Sequence, residues 1–216
     1  MENISSSSKN TGKKVTILID LHYFPAISYF KEIAKADTVI LEANETFQKQ
    51  TYRNRCEILT ANGKESLIIP IVHGSSGMIK DIKIDYTQRW YQIHDRALRA
   101  AYGKSPFFDF IMNDISMVLA KKIPFLWDLN REMLSLCLDK LTLKSNIVES
   151  NTYSVPSELE ANILDLRGII TPQANRRDGQ IVSKKYHQVF GNEFVTDLSV
   201  LDLLYCAVLD SPEIVR

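Results

Sequence analysis

Short apolar runs and longer helical repeats divide this chain into two parts, with the change near residue 87. Residues 79–84, just before the change, are only a weak strand candidate, because charged side chains interrupt them and would restrict the strand to a sheet edge. Asn62-Gly63 separates two apolar runs and predicts a β-hairpin. The first part holds four runs rich in β-branched side chains, which favour strands, at residues 15–19, 38–41, 56–60 and 66–72.

Beyond residue 87, apolar side chains recur every three or four positions, which predicts helices. The first part also contains one helix, which starts at Pro25 because proline fits the first turn. Residues 146–148 are strand-like, whereas residues 151–180 are irregular because prolines and glycines recur there. The helices of the second part are predicted at residues 90–102, 105–119, 124–141, 182–190 and 198–209.

This order of elements predicts an α/β fold, with an α+β arrangement as the alternative. We expect one compact unit, in which an N-terminal sheet packs against a largely helical C-terminal half. Residues 1–13 are polar, so we expect a disordered tail before a single domain at residues 14–216. No run reaches the roughly 18 apolar residues of a membrane span, and no apolar segment marks a secretory signal. A cytoplasmic location is therefore expected.

The charge and cysteine content argue against several classes of function. Lys plus Arg equal Asp plus Glu at 26 each among 216 residues, so the basic excess of nucleic-acid-binding proteins is absent. The three cysteines are far apart and form no cluster with histidines, which argues against a zinc site. The glycine-rich phosphate loops, GxSxG and HExxH are missing as well. The sequence identifies no cofactor and no metal site.

Residues 49–56, with the sequence Lys-Gln-Thr-Tyr-Arg-Asn-Arg-Cys, concentrate polar chemistry immediately before a predicted strand. In extended chain Arg53 and Arg55 would point to one face, where their guanidiniums would clamp a phosphate or a carboxylate. Five further side chains are candidates for substrate binding. The amides of Gln50 and Asn54 would bind hydroxyl or amide groups of the substrate. The phenols that would line the pocket are Tyr23, Tyr52 and Tyr102.

Structural roles are the alternatives for the same block. Glu42 and Glu45 are close enough in sequence to form ion pairs with the arginines, as in a non-catalytic binding or assembly protein. Guanidiniums that point into a cleft would favour an enzyme, whereas guanidiniums bonded to carboxylates would favour a structural block. Cys56 beside the arginines is a candidate nucleophile, and an inert buried thiol is the alternative.

Two histidines are candidates for acid or base chemistry. His94 shares a predicted helix face with Trp90 and Tyr102, and we predict that it is the catalytic acid or base. The alternative for His94 is a packed, hydrogen-bonded histidine at the edge of the core. His22 follows the first strand beside Asp20, at the end of the sheet where ligands bind in open α/β folds. A histidine that packs under the start of the helix is the alternative there.

Residues 17–30 contain an apolar strand, a Tyr-Phe-Pro segment and a following aromatic pair, and residues 49–56 have Arg-Asn-Arg at their centre. Together with later segments in the same order, they resemble the WbqC-like protein family in its Bacteroidetes-type branch. The resemblance covers nearly all of residues 15–210 and departs from the family at Asp20 and His22, which weakens the case for either. The later segments include Ser105-Pro106-Phe107-Phe108, Asp165-Leu166-Arg167 and Tyr186-His187-Gln188-Val189-Phe190.

The resemblance implies an enzyme of bacterial surface-polysaccharide biosynthesis, of the O-antigen kind. Acyl or aminoacyl transfer to a nucleotide-linked aminosugar would fit that context, with the nucleotide sugar as the small-molecule partner.

Overall fold

The computed structural model describes residues 14–74, 76–173 and 184–216, and the tail expected at residues 1–13 lies outside them. At its centre is a four-stranded parallel sheet in the order β5-β2-β1-β6. Its strands are β1 (Thr16–Ile19), β2 (Thr38–Leu41), β5 (Asn146–Glu149) and β6 (Ile163–Asp165). A separate antiparallel hairpin is formed by β3 (Arg55–Thr60) and β4 (Gly63–Ile68).

Six helices surround these strands in the described part of the chain. They are α1 (Ile27–Lys35), α2 (Trp90–Tyr102), α3 (Phe108–Ala120), α4 (Leu126–Lys140), α5 (Val200–Ala207) and α6 (Ser211–Val215). Short 3-10 turns lie at Ile79–Asp81, Pro156–Glu158 and Val208–Asp210. The parallel sheet and its helices confirm the predicted α/β fold as one compact unit.

β1 occupies the middle of the sheet because its apolar side chains can be buried on both faces. Ile17 pairs in parallel with Val39 of β2 on one side and with Leu164 of β6 on the other. Parallel neighbours need a crossover connection, which α1 supplies between β1 and β2. One face of α1 is buried, through Ile27, Tyr29, Phe30 and Ile33.

The order of the parallel strands reverses beside β1. The chain adds β2 and then β5 on one side of β1, and afterwards returns to place β6 on the other side. The connection between β2 and β5 contains the hairpin and helices α2 to α4. In open α/β sheets, ligands bind outside the carboxyl ends of the strands at such a reversal point. A ligand-binding site is therefore expected at the carboxyl ends of β1 and β6.

Three local predictions were wrong. Residues 79–84 form a 3-10 turn with isolated bridges instead of a strand, since backbone pairing there is limited to single contacts. The described portion of the predicted helix at 182–190, residues 184–190, is irregular, and residues 182–183 lie outside the described residues. Residues 151–180, predicted to be irregular, contain the short strand β6. The hairpin predicted at Asn62-Gly63 is confirmed, and Gly63, which pairs with Thr60, takes the positive φ of 97° that a glycine tolerates.

None of the helices in the described residues is long and apolar enough to cross a membrane.

Candidate functional site

A cleft of about 710 Å³ opens at the carboxyl edge of the sheet, at the reversal point. Parallel strands bring their carboxyl ends to one edge, so polar residues that follow different strands meet there. The cleft is lined by residues that follow β2, precede β3, follow β5 or lie at and after the end of β6, among them Glu45, Arg53, Tyr153, Asp165, Arg167 and Gly168.

Arg53 lies at the base of this cleft and is held by carboxylates. Its Nε donates to Glu45 Oε1 over 2.6 Å, and its Nη2 donates to Glu45 Oε2 over 2.5 Å. Its Nη1 lies 3.0 Å from Asp20 Oδ2, and the side chain is only 1% exposed. The pair with Glu45 is the contact expected of a structural block. Glu42 was the other carboxylate expected to pair with the block, and it binds Arg167 instead.

Asp20 connects the two strands on either side of the reversal point. Its Oδ1 accepts a hydrogen bond from the backbone N–H of Gly168 over 3.0 Å, and its Oδ2 lies 2.8 Å from His22 Nε2. Burial raises the pKa of Asp20, but His22 and Arg53 together with the Gly168 N–H hold it well below its usual range. Asp20 therefore stays ionised in the interior and positions Arg53 behind the cleft.

Arg167 is the second guanidinium of the cleft. Its Nε and Nη2 donate to the two oxygens of Asp165 over 2.9 and 2.8 Å, and its Nη1 donates to Glu42 Oε2 over 2.8 Å. The ring of Tyr153 lies 4.8 Å from the guanidinium carbon and is 52% exposed. Sequence reasoning noted Asp165-Leu166-Arg167 only as part of the resemblance, and did not identify Arg167 as a site residue.

A second cleft, of about 310 Å³, lies on another side of the same block. It contains three of the predicted site residues, Gln50, Asn54 and Arg55, together with Lys49 and His73. Arg53 and Arg55 thus line different clefts. β3 begins only at Arg55, and Arg53 lies in the preceding turn, so the two-residue period of a strand does not apply to the pair.

His94 and Tyr23 are in the core and line neither cleft. His94 is 2% exposed, with its Nδ1 3.1 Å from the Tyr23 hydroxyl and its Nε2 3.2 Å from the Ile68 carbonyl oxygen. The hydroxyl donates to Nδ1 and Nε2 donates to the carbonyl, so the neutral ring satisfies both partners. Burial lowers the pKa of His94 to about 4. A substrate in either cleft would not contact His94 directly. The catalytic role of His94 stays a prediction.

Tyr102 and Tyr52 are also buried, at 0% and 2% exposure. The Tyr102 hydroxyl donates to Asp202 Oδ1 over 2.9 Å and accepts from the Leu59 N–H over 3.0 Å. Tyr52 lies 3.4 Å from a carboxylate oxygen of Glu57. Of the predicted site residues, Arg53 is therefore the one in the larger cleft.

Within residues 14–74, 76–173 and 184–216, no group of three or more His, Cys, Asp or Glu side chains is arranged to hold a metal ion. The carboxylates of the larger cleft are paired with guanidiniums instead.

Comparisons with known proteins agree with the resemblance noted in the sequence. The chain is 26% identical to the uncharacterized protein Rv1507c of Mycobacterium tuberculosis, over 94% of this chain and 98% of that protein. No solved structure matches the chain. The sequence model of the WbqC-like protein family matches residues 21–171, which include strands β2 to β6 and the lining residues of both clefts, whereas β1 precedes the match. The chain belongs to the WbqC-like protein family.

Proposed function

We propose that this protein is a cytoplasmic enzyme of bacterial surface-polysaccharide biosynthesis. It binds a nucleotide-linked aminosugar in the larger cleft and transfers an acyl or aminoacyl group to the sugar nitrogen. The observation that carries the proposal is the position of this cleft, at the reversal of strand order and lined by two guanidiniums with their carboxylates. The association of some WbqC-like proteins with O-antigen synthesis supplies the biological context.

The charges around the cleft suit an aminosugar. Glu45 and Asp165 line the cleft, and with the buried Asp20 and Glu42 behind them the carboxylates outnumber the two guanidiniums that they hold. This acidic surplus attracts the ammonium group of an aminosugar, and the oxygens of Glu45 and Asp165 in the cleft wall accept hydrogen bonds from sugar hydroxyls. The exposed ring of Tyr153 offers a flat surface against which a sugar ring can pack.

Glu45 is the cleft residue suited to accept a proton. Burial raises its pKa, although the hydrogen bonds and charge of Arg53 lower it. In the proposed reaction the bound ammonium first loses one proton to solvent, and the neutral amine then attacks the carbonyl carbon of an activated acyl donor, such as a thioester. A carbon–nitrogen bond forms, the bond to the donor's leaving group breaks, and the amine proton passes to Glu45.

The alternative is a non-catalytic binding or assembly protein in which the Arg-Asn-Arg block is structural. One observation favours it: Arg53 is 1% exposed and its guanidinium is bound to Glu45 and Asp20. Guanidiniums bonded in this way stabilise the edge of the sheet whether or not a ligand binds beside them.

Thermal stability with a panel of compounds separates the two functions. The panel contains nucleotide-linked aminosugars, nucleotide sugars without the amine, acyl-CoA and free amino acids. A ligand at 100 times its dissociation constant stabilises the native state by about 2.7 kcal/mol, which raises the melting temperature measurably. We expect the aminosugar compounds to give the largest shift.

Two exposed residues provide the matched variants for this experiment. Tyr153→Ala removes the ring that lines the cleft, and Ile169→Ala removes an exposed apolar side chain that does not line it. The first substitution should abolish the aminosugar shift and the second should leave it intact. If no compound shifts the melting temperature, the enzyme proposal is contradicted and the assembly protein is favoured.

A further inference from the structure

The lining of the second cleft is basic, whereas carboxylates and guanidiniums are mixed in the lining of the first. Lys49, Arg55 and His73 line it beside the amides of Gln50 and Asn54, and no acidic side chain is among its lining residues. Within the part of the chain that the structure describes, no carboxylate lies within 4.0 Å of the charged nitrogens of Lys49 or Arg55. Cations that are left without a counter-charge in a cleft attract an anion.

Arg55 has a donor that the protein leaves unused. Its Nε is buried and has no hydrogen-bond partner, although the side chain as a whole is half-buried in the cleft wall. Buried donors are nearly always satisfied in folded proteins, so an orphaned one points to a partner that binds. A guanidinium presents its donors as a rigid fork, which matches the oxygens of a phosphoryl group.

Asn54 adds an unused acceptor to the same cleft. It is 8% exposed, and its Nδ2 donates to the Ile69 carbonyl oxygen over 2.9 Å. The backbone N–H of Ile69 donates in turn to the Asn54 carbonyl oxygen over 2.8 Å. The side-chain bond determines which end of the amide faces Ile69, whose own N–H is already used, and the buried Oδ1 is left without a partner. The missing partner must therefore carry an O–H or N–H donor.

We infer that the second cleft is a binding site for a sugar phosphate. The phosphoryl oxygens accept from Arg55 Nε and lie against the charge of Lys49, while a sugar hydroxyl donates to Asn54 Oδ1. This site is separate from the larger cleft and does not depend on acyl transfer there.

Calorimetric titration at constant ionic strength tests the site with three probes: glucose 1-phosphate, inorganic phosphate and glucose. Constant ionic strength is needed because salt screens non-specific attraction to surface cations. We expect glucose 1-phosphate to bind most tightly, inorganic phosphate at least tenfold more weakly, and glucose not measurably. The phosphoryl group supplies the charge, and the hydroxyls supply the donor that inorganic phosphate lacks at that position.

Charge-removing variants locate the binding. Arg55→Gln should weaken glucose 1-phosphate at least tenfold, and the exposed substitution Lys49→Gln should weaken it several-fold without a change in melting temperature. Arg89→Gln removes the same charge from an exposed position outside both clefts and should leave binding unchanged. If Arg55→Gln is too unstable to titrate, the dissociation constant of Lys49→Gln for glucose 1-phosphate still decides the test.

Equal dissociation constants in wild type and Lys49→Gln would overturn the inference, as would glucose binding as tightly as its phosphate. Inorganic phosphate that binds as tightly as glucose 1-phosphate would overturn the sugar part. Tyr153→Ala, in the larger cleft, should leave the glucose 1-phosphate titration unchanged. Its result separates a failure of this site from a failure of the proposed acyl transfer.

Discussion

Arg53 and Glu45 form a two-pronged ion pair inside the protein, with N–O distances of 2.6 and 2.5 Å between side chains that are 1% and 6% exposed. Glu45 follows β2, and Arg53 lies in the turn before β3, so the pair ties the hairpin to the sheet. The third guanidinium nitrogen faces Asp20 after β1. The carboxyl edge of the sheet is thus held together around one guanidinium.

Arg53→Met should destabilise the protein by about 3 kcal/mol or more, because it leaves two carboxylates buried without their cation. Urea denaturation followed by circular dichroism measures the loss. Arg99→Met is the matched control: Arg99 pairs with Asp95 on an exposed helix face, where such pairs contribute at most about 1 kcal/mol. A loss no larger for Arg53→Met than for Arg99→Met would contradict the structural role of the pair.

His94 should make the protein sensitive to mild acid. Its pKa is about 4 in the folded chain against an ordinary value of 6.5, so the unfolded chain binds a proton over that interval and the folded chain does not. Stability attributable to His94 is therefore complete above pH 6.5 and falls as the pH drops towards 4, by about 3 kcal/mol over the interval.

Chemical denaturation at a series of pH values measures this dependence. His94→Gln removes the titrating ring, and its stability should fall less steeply than that of wild type between pH 6.5 and 4.5. The buried Asp20, whose pKa lies below its usual range, destabilises the fold only at lower pH and leaves this window undisturbed. An equal slope in wild type and His94→Gln would show that another group is responsible.

The cysteines should be unreactive in the native protein. Burial raises the pKa of Cys206 to about 12, and raises the pKa of Cys56 and of Cys137 further. The thiolate is the reactive form, so labelling by an aromatic disulfide reagent at pH 8 should be slow until the chain unfolds. Rapid native labelling of Cys56 would revive its role as a nucleophile, and Cys56→Ala identifies which thiol has reacted.

Tyr102→Phe should destabilise the protein by about 2 kcal/mol, because it leaves the Leu59 N–H and one oxygen of Asp202 without their partner. Tyr186→Phe is the matched comparison, since Tyr186 also donates to Asp202 but accepts nothing from Leu59. We therefore expect the smaller loss for Tyr186→Phe. Tyr102 was predicted to bind substrate, and a variant of wild-type stability that no longer binds ligand would support that prediction over the structural one.

Local patterns were sufficient for most of the elements. The apolar runs of β1 and β2 and the helical repeat that begins at Trp90 were predicted correctly, because each is a property of consecutive residues. β6 was missed, since it is three residues long and is defined by its pairing with β1. A strand that short has no periodicity to recognise.

The sequence by itself determined the fold class and the family, and it predicted a binding role for the block that contains Arg53 and Arg55. Only the tertiary structure decided that these two side chains enter different clefts, that Arg167 joins Arg53, and that His94 is enclosed in the core. The physical reason is that residue type and spacing describe a side chain's chemistry and its local direction. Its charge partners and its access to solvent depend on segments far away in the chain, which only folding brings together.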